Sequence, residues 1–333
     1  MLLTALTSAA LGAGQSDYGD CMQHIDSDRT IAGCTRIIED MGETNRNRRI
    51  AYDNRGTASY AKGNIDGAIA DFTAAVKLNP KDAPAYDNRG TAWRAKGDLH
   101  RALADFNTAI KLNPNSAAAY NNRGNIWRES SELKRALADY SEAIRLDGNF
   151  ALAYSNRAIT WQESGDKDRA MTDYSAAIRL DSTDAASLRG RGFAYFEQGD
   201  FAAAVQDLLR ANVLADQLQT DLWLFIARGR TGENGAIELA VNAGRSSGQD
   251  WPAPVIEFYL GRRSLQEMRA KAKNSLQTCE THFYVGEWHL LRGDLDGARA
   301  AFSLAVQLCE KTSKERAVSL AELKRLKPKF FVR

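Results

Sequence analysis

Apolar residues recur three and four positions apart along most of the chain, the spacing of helices that bury one face. The pattern also repeats on itself at a shift of 34 residues. Tyr52-Asp-Asn-Arg-Gly56 returns as Tyr86-Asp-Asn-Arg-Gly90, Tyr120-Asn-Asn-Arg-Gly124 and Tyr154-Ser-Asn-Arg-Ala158, with a weaker copy at Leu188-Arg-Gly-Arg-Gly192. The second half of each unit repeats as well, from Ala68-Ile-Ala-Asp-Phe72 through Ala102-Leu-Ala-Asp-Phe106, Ala136-Leu-Ala-Asp-Tyr140 and Ala170-Met-Thr-Asp-Tyr174 to Ala204-Val-Gln-Asp-Leu208. Gly63-Asn64, Gly97-Asp98, Gly165-Asp166 and Gly199-Asp200 mark a turn between two helices in each unit, and Ser131 stands in the third. Small residues facing each other, Gly56 with Ala68 and Gly90 with Ala102, let paired helices approach closely. Trp93, Trp127, Trp161 and Tyr195 occupy one slot in successive units and read as core filler.

A 34-residue period with these residues resembles the tetratricopeptide repeat. The resemblance runs from about Arg49 to Asp216. It implies an all-α fold, a tetratricopeptide-repeat α-solenoid in which antiparallel helix pairs stack into a right-handed superhelix. A single pair cannot bury its apolar face alone, so stacked neighbours make the core.

Two polar ladders run through the repeats. Arg55, Arg89, Arg123, Arg157 and Arg191 each precede an Asp by 16 residues: Asp71, Asp105, Asp139, Asp173 and Asp207. Such pairs are expected to fix helix packing, since desolvated ion pairs give geometry more reliably than net stability. The second ladder is Asn54, Asn88, Asn122 and Asn156. In tetratricopeptide proteins this position faces the concave side, where an amide could pair with a peptide backbone. The alternative is an amide bonded to the neighbouring repeat's backbone. Asp53, Asp87, Asn121, Ser155 and Arg189 are expected on the same face, followed by Thr57, Thr91, Asn125, Ile159 and Phe193, then Tyr60, Arg94, Arg128, Gln162 and Phe196. The expected groove is acidic early, basic in the middle and apolar at its end, with Ile159, Phe193 and Phe196 as anchors for an extended peptide. Family members that clamp chaperone tails need a cation where Asp53 stands and a Lys where Ala118 stands. Their absence argues against that activity.

After Asp216 the spacing breaks. Leu222-Trp-Leu-Phe-Ile-Ala227 and Ala236-Ile-Glu-Leu-Ala240 read as a shortened helix pair. The glycine-containing turn from Gly229 to Gly235 lacks the ending of a phosphate loop. Trp251-Pro252 starts a further helix. Another repeat spans Glu280 to Leu308, and Glu315 to Leu326 reads as a capping helix with a polar outer face. This half resembles the NlpI lipoprotein family of periplasmic adaptors. The residues that carry the resemblance are Leu222-Trp-Leu, Val255-Ile-Glu-Phe-Tyr-Leu-Gly261, Glu280-Thr-His-Phe-Tyr-Val-Gly286 and Gly293-Asp-Leu-Asp-Gly-Ala298. It implies partners such as a C-terminal processing protease and cell-wall hydrolases. The chain departs from that family in lacking a lipid-attachment Cys and in carrying extra repeats and a Cys21/Cys34 segment in front.

Met1 to Ala13 is apolar and built of small residues, as in a secretory signal peptide, with Ala10-Leu11-Gly12 and Leu11-Gly12-Ala13 as alternative cleavage sites, although no cation precedes the run. Four Cys suit two disulfides in an oxidising compartment. The natural pairing is Cys21 with Cys34 and Cys279 with Cys309. Cys279 opens the first helix of the last repeat and Cys309 closes the second, and antiparallel helices bring those ends together. Free thiols are the alternative, and Cys279, His282 and His289 match no standard zinc spacing. The expected organisation is a signal peptide over 1–14, a Cys-containing helical segment over 15–48, five repeats over 49–216, and degenerate pairs, a final repeat and a cap over 217–333.

Charge narrows the function classes. Lys plus Arg number 44 against 42 Asp plus Glu, a net charge of +2, which argues against a dedicated nucleic-acid binder. The basic tail of Lys324, Arg325, Lys327, Lys329 and Arg333 reads as a solvated face, with contact to an anionic surface as the alternative. No apolar run reaches the roughly 20 residues of a membrane-spanning helix. The four His suggest no catalytic setting, and no cofactor or metal is expected. The chain therefore reads as an exported scaffold or adaptor, periplasmic or secreted. The rivals are a self-assembling structural protein and a cytosolic scaffold.

Overall fold

The structure is a computed structural model that describes residues 13–23, 25–244 and 250–327. The expected signal peptide and cleavage site fall almost wholly outside these residues, as do His24, Lys329 and Arg333. Every regular element among the described residues is a helix, and none is long and apolar enough to cross a membrane. Chain contacts divide the molecule into two compact units, 1–148 and 149–333.

The first unit holds eight helices: α1 Gln15–Met22, α2 Ser27–Glu39, α3 Asn45–Ala61, α4 Ile65–Leu78, α5 Ala83–Ala95, α6 Leu99–Leu112, α7 Ala117–Glu129 and α8 Leu133–Leu146. They form antiparallel pairs, α1 with α2, α3 with α4, α5 with α6 and α7 with α8, and adjacent pairs stack. The contact that sets each repeat is an aromatic ring of the second helix laid on a glycine of the first. A Cβ added to Gly56, Gly90 or Gly124 would come within 2.8, 2.9 or 2.7 Å of the ring of Phe72, Phe106 or Tyr140. Those three rings are fully or almost fully buried. The turn between the helices follows from two adjacent residues. Gly63 and Gly97 take positive φ, and the next residue caps the second helix: Asn64 accepts from the Gly67 amide at 3.1 Å and Asp98 from the Arg101 amide at 3.0 Å. Ser131 adopts φ 61° in the glycine slot, so the third turn keeps its geometry without the residue that favours it.

The second unit holds α9 Ala151–Ser164, α10 Lys167–Leu180, α11 Ala185–Gln198, α12 Phe201–Leu214, α13 Leu218–Thr231, α14 Ala236–Ala243, α15 Ala253–Tyr259, α16 Leu265–Arg269, α17 Ser275–Leu290, α18 Leu295–Leu308 and α19 Lys314–Arg325. The close approach recurs. Leu208 meets Gly192, and Phe302 would lie 2.5 Å from a Cβ on Gly286. Trp223 is the centre of the core, fully buried, with the rings of Phe193, Phe196 and Phe283 at 4.9, 5.0 and 5.0 Å. The irregular stretch after Asp216 thus folds around one tryptophan. The last helix, α19, packs on α17 and α18 and also reaches back to α11.

Each unit carries one disulfide, Cys21–Cys34 joining α1 to α2 and Cys279–Cys309 joining α17 to the end of α18, with Cα–Cα distances of 4.7 and 4.9 Å. Cys279 is therefore not a thiolate available to a metal. The second bridge closes a loop of sequence separation 30.

The glycine–ring contact makes a direct prediction. Gly90→Leu forces a side chain into the Phe106 ring and should cost at least about 2 kcal/mol in urea unfolding. Ala70→Leu, on the exposed side of α4, should stay within about 0.5 kcal/mol of the parent.

Candidate protein-binding face

The five Arg–Asp pairs are bidentate, each guanidinium meeting both carboxylate oxygens at 2.6–2.9 Å. The Asp members are buried, and each guanidinium also sits 5.4–5.8 Å from a tyrosine ring centroid. The donor edge and one face of the cation are therefore used within the repeat. These arginines hold the second helix to the first and are not offered to a ligand.

The Asn ladder is also engaged. Asn54 Nδ2 donates to the Cys21 carbonyl at 3.1 Å, Asn88 Nδ2 to Asp53 Oδ1 at 3.0 Å, and Asn122 Nδ2 to both Asp87 oxygens at 3.3 and 3.1 Å. The Asp-Asn dipeptide thus works across repeats: the Asp of one accepts from the Asn of the next. Burial raises the Asp87 pKa, and the Asn122 amide opposes that rise. A peptide backbone would have to displace these bonds, so the free-amide reading gives way here to an inter-repeat contact. The partner differs from expectation, being a side chain in two rungs and a backbone carbonyl in the first.

Other expected groove residues separate into three groups. Asn121 and Asn125 are buried, and Asn125 Oδ1 accepts from Tyr140 at 2.8 Å. Arg94 Nε lies 2.7 Å from Glu129, while Arg128 and Asn156 are half-buried with bonds of their own. Ile159 packs against the Ala158, Ala170 and Tyr174 cluster. Phe196 is fully buried against Trp223 and Phe201, so it cannot anchor a peptide. Phe193 gives one side to Trp223 but keeps an edge on a cavity in the second unit, with Lys314 Nζ 5.3 Å from its centroid.

Sequence reasoning missed a buried charge cluster in the second unit. Arg230 on α13 meets Glu287 of α17 at 2.9 Å and Glu322 of α19 at 3.0 Å, and both carboxylates are fully buried. Arg325 also bonds Glu322 and the Glu197 carbonyl of α11. Arg325 therefore departs from the solvated tail expected of it. Burial, against the opposing pull of Arg230 and with Glu322 beside it, leaves Glu287 with a pKa pushed up to about 8. The available signal was a charge inside an apolar run, Phe283-Tyr-Val-Gly-Glu287-Trp288.

Two measurements check these assignments. Asn122→Ala leaves Asp87 without its donor and should lower stability by about 1–2 kcal/mol in urea unfolding. A ladder made only for ligand would show no change. Glu287 keeps its proton in the folded chain where the unfolded chain has lost it. Its contribution is full below pH 4.5 and falls as pH rises through about 8. Glu287→Gln should flatten the fall in melting temperature between about pH 4.5 and 8.

Models of the TPR repeat and the tetratricopeptide repeat match residues 90–127, 50–82 and 157–217. Among solved structures, one titled for the functional characterization of Pseudomonas aeruginosa pilF superposes with a TM-score of 0.56 at 16% identity, covering 69% of this chain and 99% of that one. The APC/C hetero-tetramer Cut9–Hcn1 superposes with a TM-score of 0.52 at 15% identity, covering 90% of this chain and 52% of that one. At these identities the likeness is one of fold. MamA is 24% identical over 48% of this chain and 93% of its own, with a TM-score of 0.43. The matched segments fall on the paired helices of the repeat series, and over them the chain is built of tetratricopeptide repeats.

Proposed function

We propose that this protein is an exported scaffold that holds a segment of another protein on the first-helix face of its repeats, linking a periplasmic protease or cell-wall hydrolase to its partner. The observation that carries the binding role is the division of labour within each repeat. Arginine, glycine and the paired ring are spent inside the helix pair, while Thr57 stands exposed on the first helix and Thr91 half-buried, their hydroxyls donating to the Asp53 and Asp87 carbonyls of the same helix. Export is supported by two bridged cysteine pairs, which persist in oxidising compartments. The protease and hydrolase partners rest on the resemblance of the second half to the NlpI family. A rival reading, self-association through outer faces, draws on the exposed Val213, Ile237 and Val241 of α12 and α14.

Photo-crosslinking separates the two. A crosslinking residue at Thr57 on α3, or at Ala70 on the opposite side of the pair on α4, is introduced into the full chain in a periplasmic extract. The scaffold reading expects heterologous proteins, a protease or wall hydrolase among them, captured from Thr57 and absent from Ala70. Capture of the chain's own copies alone, or of partners from Ala70 alone, contradicts it.

A further inference from the structure

The second unit encloses a cavity of about 430 Å³ that the repeat pattern alone does not produce. One wall is α9 and α11, the first helices of two repeats, with the start of α10. The other is α19 with the turn before it, a helix outside the repeat series. Four of its lining positions are alanine, Ala170, Ala194, Ala317 and Ala321, a small-residue surface called its floor below. The volume falls in the range of ligand-binding clefts.

The charge of the lining is one-sided. Five cationic side chains stand against two carboxylates, Glu163 and Glu197. Several cations are already committed. Lys167 pairs with Glu197, Arg316 Nε donates to the Val306 carbonyl at 3.1 Å, and Lys314 lies between Glu315 and the Phe193 ring. Lys311 and Lys324 are exposed and make no ion pair among the described residues. The cavity therefore offers two uncommitted ammonium groups at its rim, with the Phe193 edge and alanine floor between.

The wall is held in place before anything binds. Glu322 ties α19 to Arg230, and Arg325 ties it to the Glu197 carbonyl. A pre-set wall spares the ordering cost that a mobile helix would incur on binding.

We propose that this cavity receives an acidic extended segment of the partner protein, with carboxylates on Lys311 and Lys324 and an apolar side chain over the alanine floor beside Phe193. The proposal rests on the scaffold reading and names the chemistry of its partner. The second unit selects by charge and one apolar side chain, using a helix outside the repeats.

The test uses the full chain and a fluorescein-labelled octapeptide alternating Glu and Leu, read by fluorescence anisotropy. Parallel peptides replace Glu by Gln, or Leu by Ser. The acidic peptide should bind at least fivefold more tightly than either and weaken as salt is raised. Lys311→Glu with Lys324→Glu, both at exposed positions, should reduce its affinity at least tenfold with an unchanged melt. Ala194→Leu, which fills the floor, should reduce it without altering the salt dependence. Equal binding of the acidic and Gln peptides, or no loss in the double charge variant, overturns the proposal. If the acidic peptide fails while Thr57 still crosslinks a heterologous partner, the cavity is overturned and the scaffold reading stands. If both fail, the scaffold reading falls with it.

Discussion

The repeats of the first unit depend on one approach: a ring from the second helix pressed onto a glycine of the first. Without a Cβ at Gly56, Gly90 and Gly124, the helices come close enough for a bidentate Arg–Asp pair to span them. The ring supplies the buried apolar area, and the ion pair fixes the angle. With a larger residue at the glycine, the ring would be pushed out and the arginine would lose its geometry. The fourth unit shows the tolerance of the arrangement, since Ala158 stands there and packs with Tyr174 in one buried cluster.

That constraint decides which side chains remain for function. Residues on the buried stripe are consumed by the pair, and the Asp-Asn dipeptide is consumed between repeats in the first unit. What is left is the outer part of the first helices and, in the second unit, the cavity under α19. The tryptophan core there draws in Phe193 and Phe196. The apolar end expected of the groove is therefore largely interior.

The repeat architecture was legible because its determinants are local and periodic. Helix boundaries follow from Gly-Asx turns, and the Arg–Asp pairs follow from a fixed spacing within one helix pair. Two things were not legible. Asn54, Asn88 and Asn122 have the same spacing whether they meet a ligand or the neighbouring element, and only the distance to the Cys21 carbonyl, Asp53 or Asp87 decides. Phe196 reads as a groove residue by position. Its burial depends on Trp223, which lies outside the periodic stretch. The charge cluster of Arg230, Glu287 and Glu322 joins residues 57 and 92 positions apart, beyond the reach of any repeat.

The central claim is that recognition uses first-helix faces and the α19 wall, while second helices are structural. Amide hydrogen exchange on the full chain, with and without a captured partner, tests it most directly. The account predicts added protection in first helices such as α3, α5, α9 and α11 and along α19, with α4, α6 and α12 unchanged. Protection confined to those second helices would contradict it.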